Sequence, residues 1–451
     1  MPQARWSSLA DARVPRYTSY PTAPHFTGQV GATQVSAWLG ALDPAAPVSV
    51  YLHVPFCRQL CLYCGCNTAI VSRHRPIGAF VDDLLAEIDL VASLLPGRLP
   101  VGHVHFGGGT PSIVTPREFA DIRRRLDERF ALGADAEIAI EIDPRGLSDV
   151  MVSALARGGV NRASLGVQDF DADVQKAIHR EQSPAMVAST VARLRAAGIG
   201  AINFDLIYGL PRQTVASIER TVDLAAAMRP DRVALFGYAH VPWMKPHQKT
   251  LERYGLPDGE ERWAMAEAAS ARLVAQGYER IGLDHFALPG DGMARAARAG
   301  GLRRNFQGYT TDAAETLLGF GPSAISALPQ GYAQAITDTA AWAKAVRAGE
   351  LPVARGRAID AEDRLRRAVI ERLMCDLAVD LGAVARAHHR DPACAFGAER
   401  ARLAALEADG VIAIKGDRIR VHEAARPLVR GVAAVFDAYL KPDAARHAVA
   451  V

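Results

Sequence analysis

From residue 48 onward, apolar runs of strand length alternate with segments whose apolar residues recur at helical spacing. Strands are expected at 48–54 (VSVYLHV), 101–109, 137–142, 161–167, 202–208, 232–238 and 278–283, and helices at 79–95, 116–129, 147–157, 184–197, 214–228 and 259–276. Thr115, Pro116 and Glu118 form a capping-box signature at the start of one helix. A repeated strand–helix order implies a parallel sheet covered by helices, an α/β class of fold. Polar residues recur at the strand exits, which favours a partial or full (β/α) barrel over a doubly wound sheet, because a barrel gathers strand exits around one mouth.

The flanks read differently. Residues 1–47 are expected to form an N-terminal arm with one short helix near 33–41; its PRYTSYPTA stretch at 15–23 is too rich in proline and polar groups for a core strand. The barrel is assigned to 48–290, followed by late loops and a connecting helix over 291–355. Within that stretch 304–312 and 317–326 read as loop and turn, and a helix is expected at 332–347. A mainly helical C-terminal domain is assigned to 356–451. Its expected helices at 362–380, 397–408 and 423–438 flank a hairpin at 411–421, resembling a winged-helix addition that serves as helper or lid.

The chain of 451 residues is 49% hydrophobic and 22% charged, as expected of a globular protein. Its 52 Lys and Arg nearly balance 49 Asp and Glu, which argues against nucleic acid or an anionic membrane surface as the main partner. The N-terminus carries no apolar signal core and no apolar run is long enough to span a bilayer, so neither export nor membrane insertion is expected. Four of the six cysteines fall within 57–66, unlike a secreted disulfide framework; a reducing, cytoplasmic setting is expected.

Those four cysteines, Cys57, Cys61, Cys64 and Cys66, follow the first strand directly. Three spaced thiolates suit three corners of an iron–sulfur cube with an open fourth iron, whereas four sulfurs also suit a closed zinc site, and reduced structural thiols are a third reading. Gly107, Gly108, Gly109 and Thr110 stand at the second strand's exit, where glycines permit close approach and N–H groups able to hold a carboxylate, or simply a tight turn. Glu141, Gln168 and Asp205 sit at the ends of the third, fourth and fifth strands, suited to hydroxyl or ammonium groups. Arg180 adds a guanidinium able to fork onto a carboxylate.

The spacing Cys57-x-x-x-Cys61-x-x-Cys64, with Tyr63 before the last cysteine, resembles the cluster loop of the radical S-adenosylmethionine (radical SAM) superfamily. In order along the chain, PRYTSYPTA, YLHVPFCRQLCLYCGCN, HFGGGTPS, IEIDPR, NRASLGVQDF, HREQ, NFDLIYGLPRQT, LDHFA and RNFQGYTT resemble the oxygen-independent coproporphyrinogen III oxidases over about residues 15–326. The resemblance implies a [4Fe-4S] cluster on Cys57, Cys61 and Cys64, with Cys66 unligated but close by. It implies two S-adenosylmethionine molecules held by Tyr51, Tyr63, Gly108, Gly109, Thr110, Glu141, Gln168, Arg180, Asp205, Ala239 and Ile325, the Gly-rich stretch receiving an amino group.

Arg16 and Tyr17 of the arm, with Gln307, would enclose coproporphyrinogen III. A 5′-deoxyadenosyl radical would abstract hydrogen from a propionate, and loss of CO₂ and an electron would leave a vinyl group; two such conversions give protoporphyrinogen IX. An external electron donor and an acceptor, both unidentified, and a monomeric state are also implied. Tyr63 departs from the phenylalanine also found at that position. The segment 239–249 is individual to this chain, and its His240 and His247 read equally as surface histidines. A heme-binding or heme-delivery protein on the same scaffold is the alternative, but members of that branch generally lack the tyrosine-rich arm and the counterpart of Cys66, both present here.

Overall fold

The computed structural model describes Trp6, Leu9 and residues 12–440. The other positions assigned to the arm, and residues 441–451 of the C-terminal region, lie outside the described residues. Twelve strands form the main sheet, numbered in chain order: β1 Val48–Val54, β2 Pro100–Gly108, β3 Ala131–Ile142, β4 Arg162–Gln168, β5 Ala201–Tyr208, β6 Arg232–Gly237, β7 Glu279–Ile281, β8 His285–Ala287, β9 Thr316–Phe320, β10 Ile325–Leu328, β11 Gly331–Ala335 and β12 Val353–Ala358. Their spatial order is β12-β11-β10-β9-β1-β2-β3-β4-β5-β6-β8-β7. The run from β9 through β6 is parallel, and both ends continue as antiparallel strands. The sheet is open at both ends, so the barrel is partial.

The expected helices are present at Arg75–Ser93, Pro116–Arg129, Asp149–Arg157, Pro184–Ala196, Val215–Ala227 and Gly259–Ala275. The capping box is formed as the sequence predicts: the Glu118 N–H donates to the Thr115 hydroxyl and the Thr115 N–H to the Glu118 carboxylate. These helices bury Phe80, Leu84, Phe119, Leu126 and Ile218 against Leu52, Phe106, Leu165 and Phe204 of the strands in one continuous core. Removing such side chains from water is the main force closing the barrel, about 25 cal/mol per Å² of apolar surface.

Four expectations are corrected. The strand near 278–283 is antiparallel, because only Gly282–Asp284 separate β7 from β8 and a parallel crossover needs a dozen or more residues. Residues 316–320, read as loop, form β9, a buried parallel partner of β1. Two glycines disguise it. A Cβ at Gly319 would meet the Ile325 backbone at 2.7 Å, and one at Gly321 (φ +91°) would meet the His53 carbonyl at 2.4 Å. Residues 331–335, read as the start of a helix, are strand β11, and the helix begins only at Thr339. The 304–312 stretch, also read as loop, carries a small hairpin of 303–305 with 308–310.

A second core joins Trp6, Val14, Tyr17 and Tyr20 of the arm to Leu365, Leu373, Leu403, Ile419, Val432 and Phe436 of the C-terminal region. There the hairpin of Ile412–Lys415 and Arg418–Val421 is extended by Ala378–Asp380 into a three-stranded sheet beside the helix Arg400–Ala408. The arm therefore crosses from the barrel to the C-terminal helices, and the tyrosines that made it look polar are buried. Among the described residues no helix is long and apolar enough to cross a membrane.

Candidate active site

The cysteine loop leaves β1 through Phe56–Cys57, which pairs in parallel with Ala69–Ile70, so residues 58–68 form an excursion closed at its base. In register, His53 faces Gly107 and Val54 faces Gly108, which sets the glycine run beside the loop's root. Cys57, Cys61, Cys64 and Cys66 are all free thiols lining one cavity of about 300 Å³. Among the described residues no three His, Cys, Asp or Glu side chains are gathered to hold a single metal ion.

The sulfurs are met by donors. Thr110 Oγ1 donates to Cys57 Sγ at 3.4 Å, Arg180 Nη1 to Cys61 Sγ at 3.4 Å, Arg145 Nη2 to Cys61 Sγ at 3.5 Å and the Cys66 N–H to Cys64 Sγ at 3.4 Å. Burial pushes the Cys57 thiol up to about 11 despite Thr110, whereas a hydrogen bond from Cys66, assisted by Lys245 and His247, pulls Cys64 below the ordinary thiol range against its burial. Sulfurs surrounded by cationic and hydroxyl donors fit a negatively charged thiolate-bound centre.

The loop's backbone is also tied down from outside. His247 Nε2 pairs with the Cys64 carbonyl at 2.9 Å, Gln248 Nε2 donates to the Tyr63 carbonyl at 2.8 Å and Lys245 Nζ to the Cys66 carbonyl at 2.6 Å. His247 is thus a prop of the cysteine loop rather than an ordinary surface residue. His240 is engaged elsewhere, between the Tyr238 hydroxyl at 3.1 Å and Glu252 at 3.0 Å.

The glycine run corrects one expectation. The Gly109 N–H donates to the Val54 carbonyl and the Thr110 N–H to the Phe56 carbonyl, both at 2.8 Å, while the Gly108 N–H donates to Glu141 Oε2 at 3.1 Å. These three N–H groups are already engaged, so they do not form a carboxylate nest. Close packing requires the glycines: a Cβ at Gly109 would meet the Phe56 carbonyl at 2.6 Å, and one at Gly108 (φ +113°) the His53 ring at 2.8 Å.

Glu141, at the end of β3, also meets His105 Nε2 at 3.1 Å. Asp205 accepts from Ser164 Oγ at 3.0 Å and Asn203 Nδ2 at 2.9 Å; burial, then the charge of Glu141, raises it to about 6. Gln168 ends β4 in a left-handed conformation (φ 66°) and lines the same cavity. Arg180 is already engaged: Nη2 holds the Gly166 carbonyl at 2.6 Å and Nη1 reaches Asp143 at 3.3 Å as well as Cys61. Asp143 is in turn held by Arg145, at 2.6 Å from Nη2; burial opposes its ionisation, but these arginines keep its carboxyl below the usual range. Asp143 and Arg145 lie within the quoted IEIDPR, yet nothing short of the folded loop shows that they reach Cys61.

The cavity bearing the cysteines borders Tyr63, Gly108, Gly109 and Thr110 and continues past Glu141, Ser164, Asp205 and Phe236 into a polar shaft of about 210 Å³ inside the barrel. Gln307 lines this shaft. Tyr51 stacks on His105 at 5.8 Å and hydrogen-bonds His53 at 3.1 Å, beside the glycine run. The other expected positions lie apart. Tyr17 is buried in the second core with its hydroxyl on Asp437 at 3.1 Å, Arg16 donates to the Gly237 carbonyl at 3.1 Å, and Ile325 packs with Phe26 and Tyr332; neither Ala239 nor Ile325 lines the cysteine cavity.

Comparison with known proteins adds a context. Residues 51–225 match the family model of the radical SAM superfamily, and residues 359–428 match that of the HemN C-terminal domain. The oxygen-independent coproporphyrinogen III oxidase of Bradyrhizobium diazoefficiens is 50% identical over 98% of both chains, and that of Escherichia coli 38% identical over 95% of this chain and 94% of its own. A solved structure of the Escherichia coli coproporphyrinogen III oxidase (HemN), a radical SAM enzyme, superposes with a TM-score of 0.90 at 36% identity, over 95% of this chain and 100% of that one.

Proposed function

Because the chain belongs to the family of oxygen-independent coproporphyrinogen III oxidases, we propose that it converts two propionates of coproporphyrinogen III to vinyl groups, giving protoporphyrinogen IX. Each conversion removes CO₂, one hydrogen atom and one electron from a propionate side chain. The observation that carries this reading is the cysteine loop: its sulfurs are surrounded by donors at the head of a cavity that runs into the barrel between Glu141 and Asp205.

Family membership brings a radical SAM mechanism dependent on a [4Fe-4S] cluster and S-adenosylmethionine. Cys57, Cys61 and Cys64 would hold the cluster, with Cys66 at the cavity rim. The group supplies, when bound, reductive cleavage of the sulfonium carbon–sulfur bond and hence a carbon radical able to take hydrogen from an unactivated carbon. The residues for two S-adenosylmethionine molecules would be Tyr63, Gly108, Gly109, Thr110, Glu141, Gln168, Arg180 and Asp205 at the cysteine cavity, with Tyr51 beside the glycine run and Ala239 and Ile325 outside the cavity's lining.

The chain's own groups do the positioning. With the N–H groups of the glycine run engaged, their carbonyls are the atoms suited to an ammonium group, and the Glu141 and Asp205 carboxylates are suited to hydroxyls. Arg180 and Arg145 orient Cys61 rather than a ligand carboxylate. Ile142, Ile207 and Phe236 form an apolar wall of the cavity, which limits the water around a reactive centre. Gln307 in the shaft, and Arg16 and Tyr17 in the arm, are suited to enclose the tetrapyrrole. An external donor supplies electrons and an acceptor removes them.

Anaerobic turnover of coproporphyrinogen III by reconstituted protein with S-adenosylmethionine and a chemical reductant tests this. Protoporphyrinogen IX and 5′-deoxyadenosine, followed together by mass spectrometry, are expected. Cleavage of S-adenosylmethionine without any change in the tetrapyrrole would overturn the oxidase reading in favour of another substrate or a heme-handling role.

A further inference from the structure

Phe236 borders a third space besides the cysteine cavity and the polar shaft. This chamber, about 60 Å³, is the smallest of the three and lies between β6, the helix Gly259–Ala275, the hairpin at 303–310 and the C-terminal helix Val429–Ala434. Arg16, Arg262, Arg280, Arg304 and Arg430 line it, together with the carboxylates of Asp284 and Glu267. Arg280 is matched by Glu267 at 3.2 Å, and Asp284 pairs with His285 at 2.7 Å.

Asp284 also acts on the charges of Arg16, Arg304 and Arg430, and backbone carbonyls orient these three guanidiniums without cancelling their charge. Arg16 Nη2 donates to the Gly237 carbonyl at 3.1 Å, and Arg430 Nε to that of Pro15 at 3.0 Å. Arg304 donates through Nη2 to the Arg16 carbonyl at 3.2 Å and lies over the Tyr309 ring at 4.4 Å. Its Nε and Nη1 are buried with no hydrogen-bond acceptor among the described residues. Buried donors of a charged group without an acceptor are costly, and a carboxylate oxygen is a strong acceptor for such a donor. Burial lowers the affinity of Arg430 for its proton, and the charges of Arg16 and Arg304 add to this while Asp284 opposes it.

We propose that this chamber, with Arg304 and Arg16 as its principal contacts, receives a propionate carboxylate of the tetrapyrrole other than the one undergoing oxidation. The proposal rests on the oxidase reading. Phe236 stands between chamber and cavity, so one macrocycle with several carboxylate arms can place one arm among the arginines and another toward the cysteines. The chamber's size suits the end of a side chain and not a ring. Holding a non-reacting arm turns remote binding energy into orientation of the reacting one.

The test uses the full chain and coproporphyrin III, the oxidation-stable analogue, with binding followed by fluorescence and KM measured separately with coproporphyrinogen III. Arg304→Gln is expected to weaken coproporphyrin binding by about 10- to 100-fold, the range for losing a hydrogen-bonded charged contact, and Arg16→Gln to weaken it in the same direction. The tetramethyl ester of coproporphyrin III, which lacks carboxylates, is expected to bind wild type and Arg304→Gln alike. Should Arg304→Gln not fold, Arg304→Lys and Arg16→Gln carry the test. Wild-type turnover of coproporphyrinogen III with unchanged affinity and KM in the variants overturns the chamber alone. A wild type that neither binds nor converts the tetrapyrrole overturns the oxidase reading and the chamber together.

Discussion

Arg180 reaches the sulfur of Cys61 from a position 119 residues further along the chain, at 3.4 Å, while the same guanidinium holds the Gly166 carbonyl. A cation fixed by the end of β4 thereby sets one corner of the cysteine loop. Arg180→Lys keeps the charge and loses the fork. The reconstituted variant is expected to retain iron and sulfide but to show a more negative cluster potential, because a donor to a ligating sulfur is lost. Spectroscopic redox titration measures this, and an unchanged potential would remove Arg180 from the role of positioning Cys61.

Replacing Cys57, Cys61 or Cys64 singly with serine is expected to abolish the iron–sulfur absorbance and reductive cleavage of S-adenosylmethionine. Cys66→Ser is expected to keep the cluster. Iron, zinc and acid-labile sulfide analysis of all four variants separates three-sulfur from four-sulfur binding, and zinc without sulfide would revive the alternative site.

His247 holds the Cys64 carbonyl from outside the cysteine loop. His247→Ala is expected to leave the melting temperature within a few degrees, since a single half-buried hydrogen bond contributes about 1 kcal/mol, yet to shorten the lifetime of the reconstituted cluster in air. The decay of visible absorbance after exposure to oxygen checks it.

Glu87 provides a pH signature of its own. Its side chain accepts from the Gly321 N–H and from Trp342 Nε1 at 3.1 Å, and burial raises its carboxyl from 4.5 to about 7 despite both donors. A raised carboxyl binds its proton more tightly in the folded state. Its contribution to stability is therefore full below about 4.5 and is lost as the pH rises through 7. The difference corresponds to about 3 kcal/mol at most. Urea unfolding from pH 5 to 8.5 is expected to show wild type losing stability relative to Glu87→Gln, whose own pH profile is flatter. Parallel profiles for the two proteins would count against it.

Gly109→Ala would drive a methyl group against the Phe56 carbonyl, 2.6 Å from an ideal Cβ. The expected cost is about 1–3 kcal/mol, read by denaturant unfolding of the cluster-free protein, so that packing is measured apart from any ligand.

Much of the barrel was readable because it is written in local patterns. The strand at Val48–Val54, the capping box at Thr115 and the helix Pro184–Ala196 each follow from periodicity or a cap within one segment. β9 escaped notice for the opposite reason: Gly319 and Gly321 weaken its strand signature, and its place beside β1 comes from packing against residues more than 260 positions away. β7 was recognised as a strand but assigned the wrong direction, since pairing is not a property of one strand.

The same division runs through the site. The spacing of Cys57, Cys61 and Cys64, the glycine run at 107–109 and the polar residues ending β3, β4 and β5 are sequence properties; with the ordered motifs they sufficed to indicate the chemistry and the family. Which N–H groups the glycines leave available, what holds the loop, and that Arg16, Arg304 and Arg430 meet around one small chamber were decided only by the tertiary structure. Hydrogen bonds are exclusive and guanidiniums act over a few ångströms, so the role of each such group depends on neighbours that only the folded chain brings within reach.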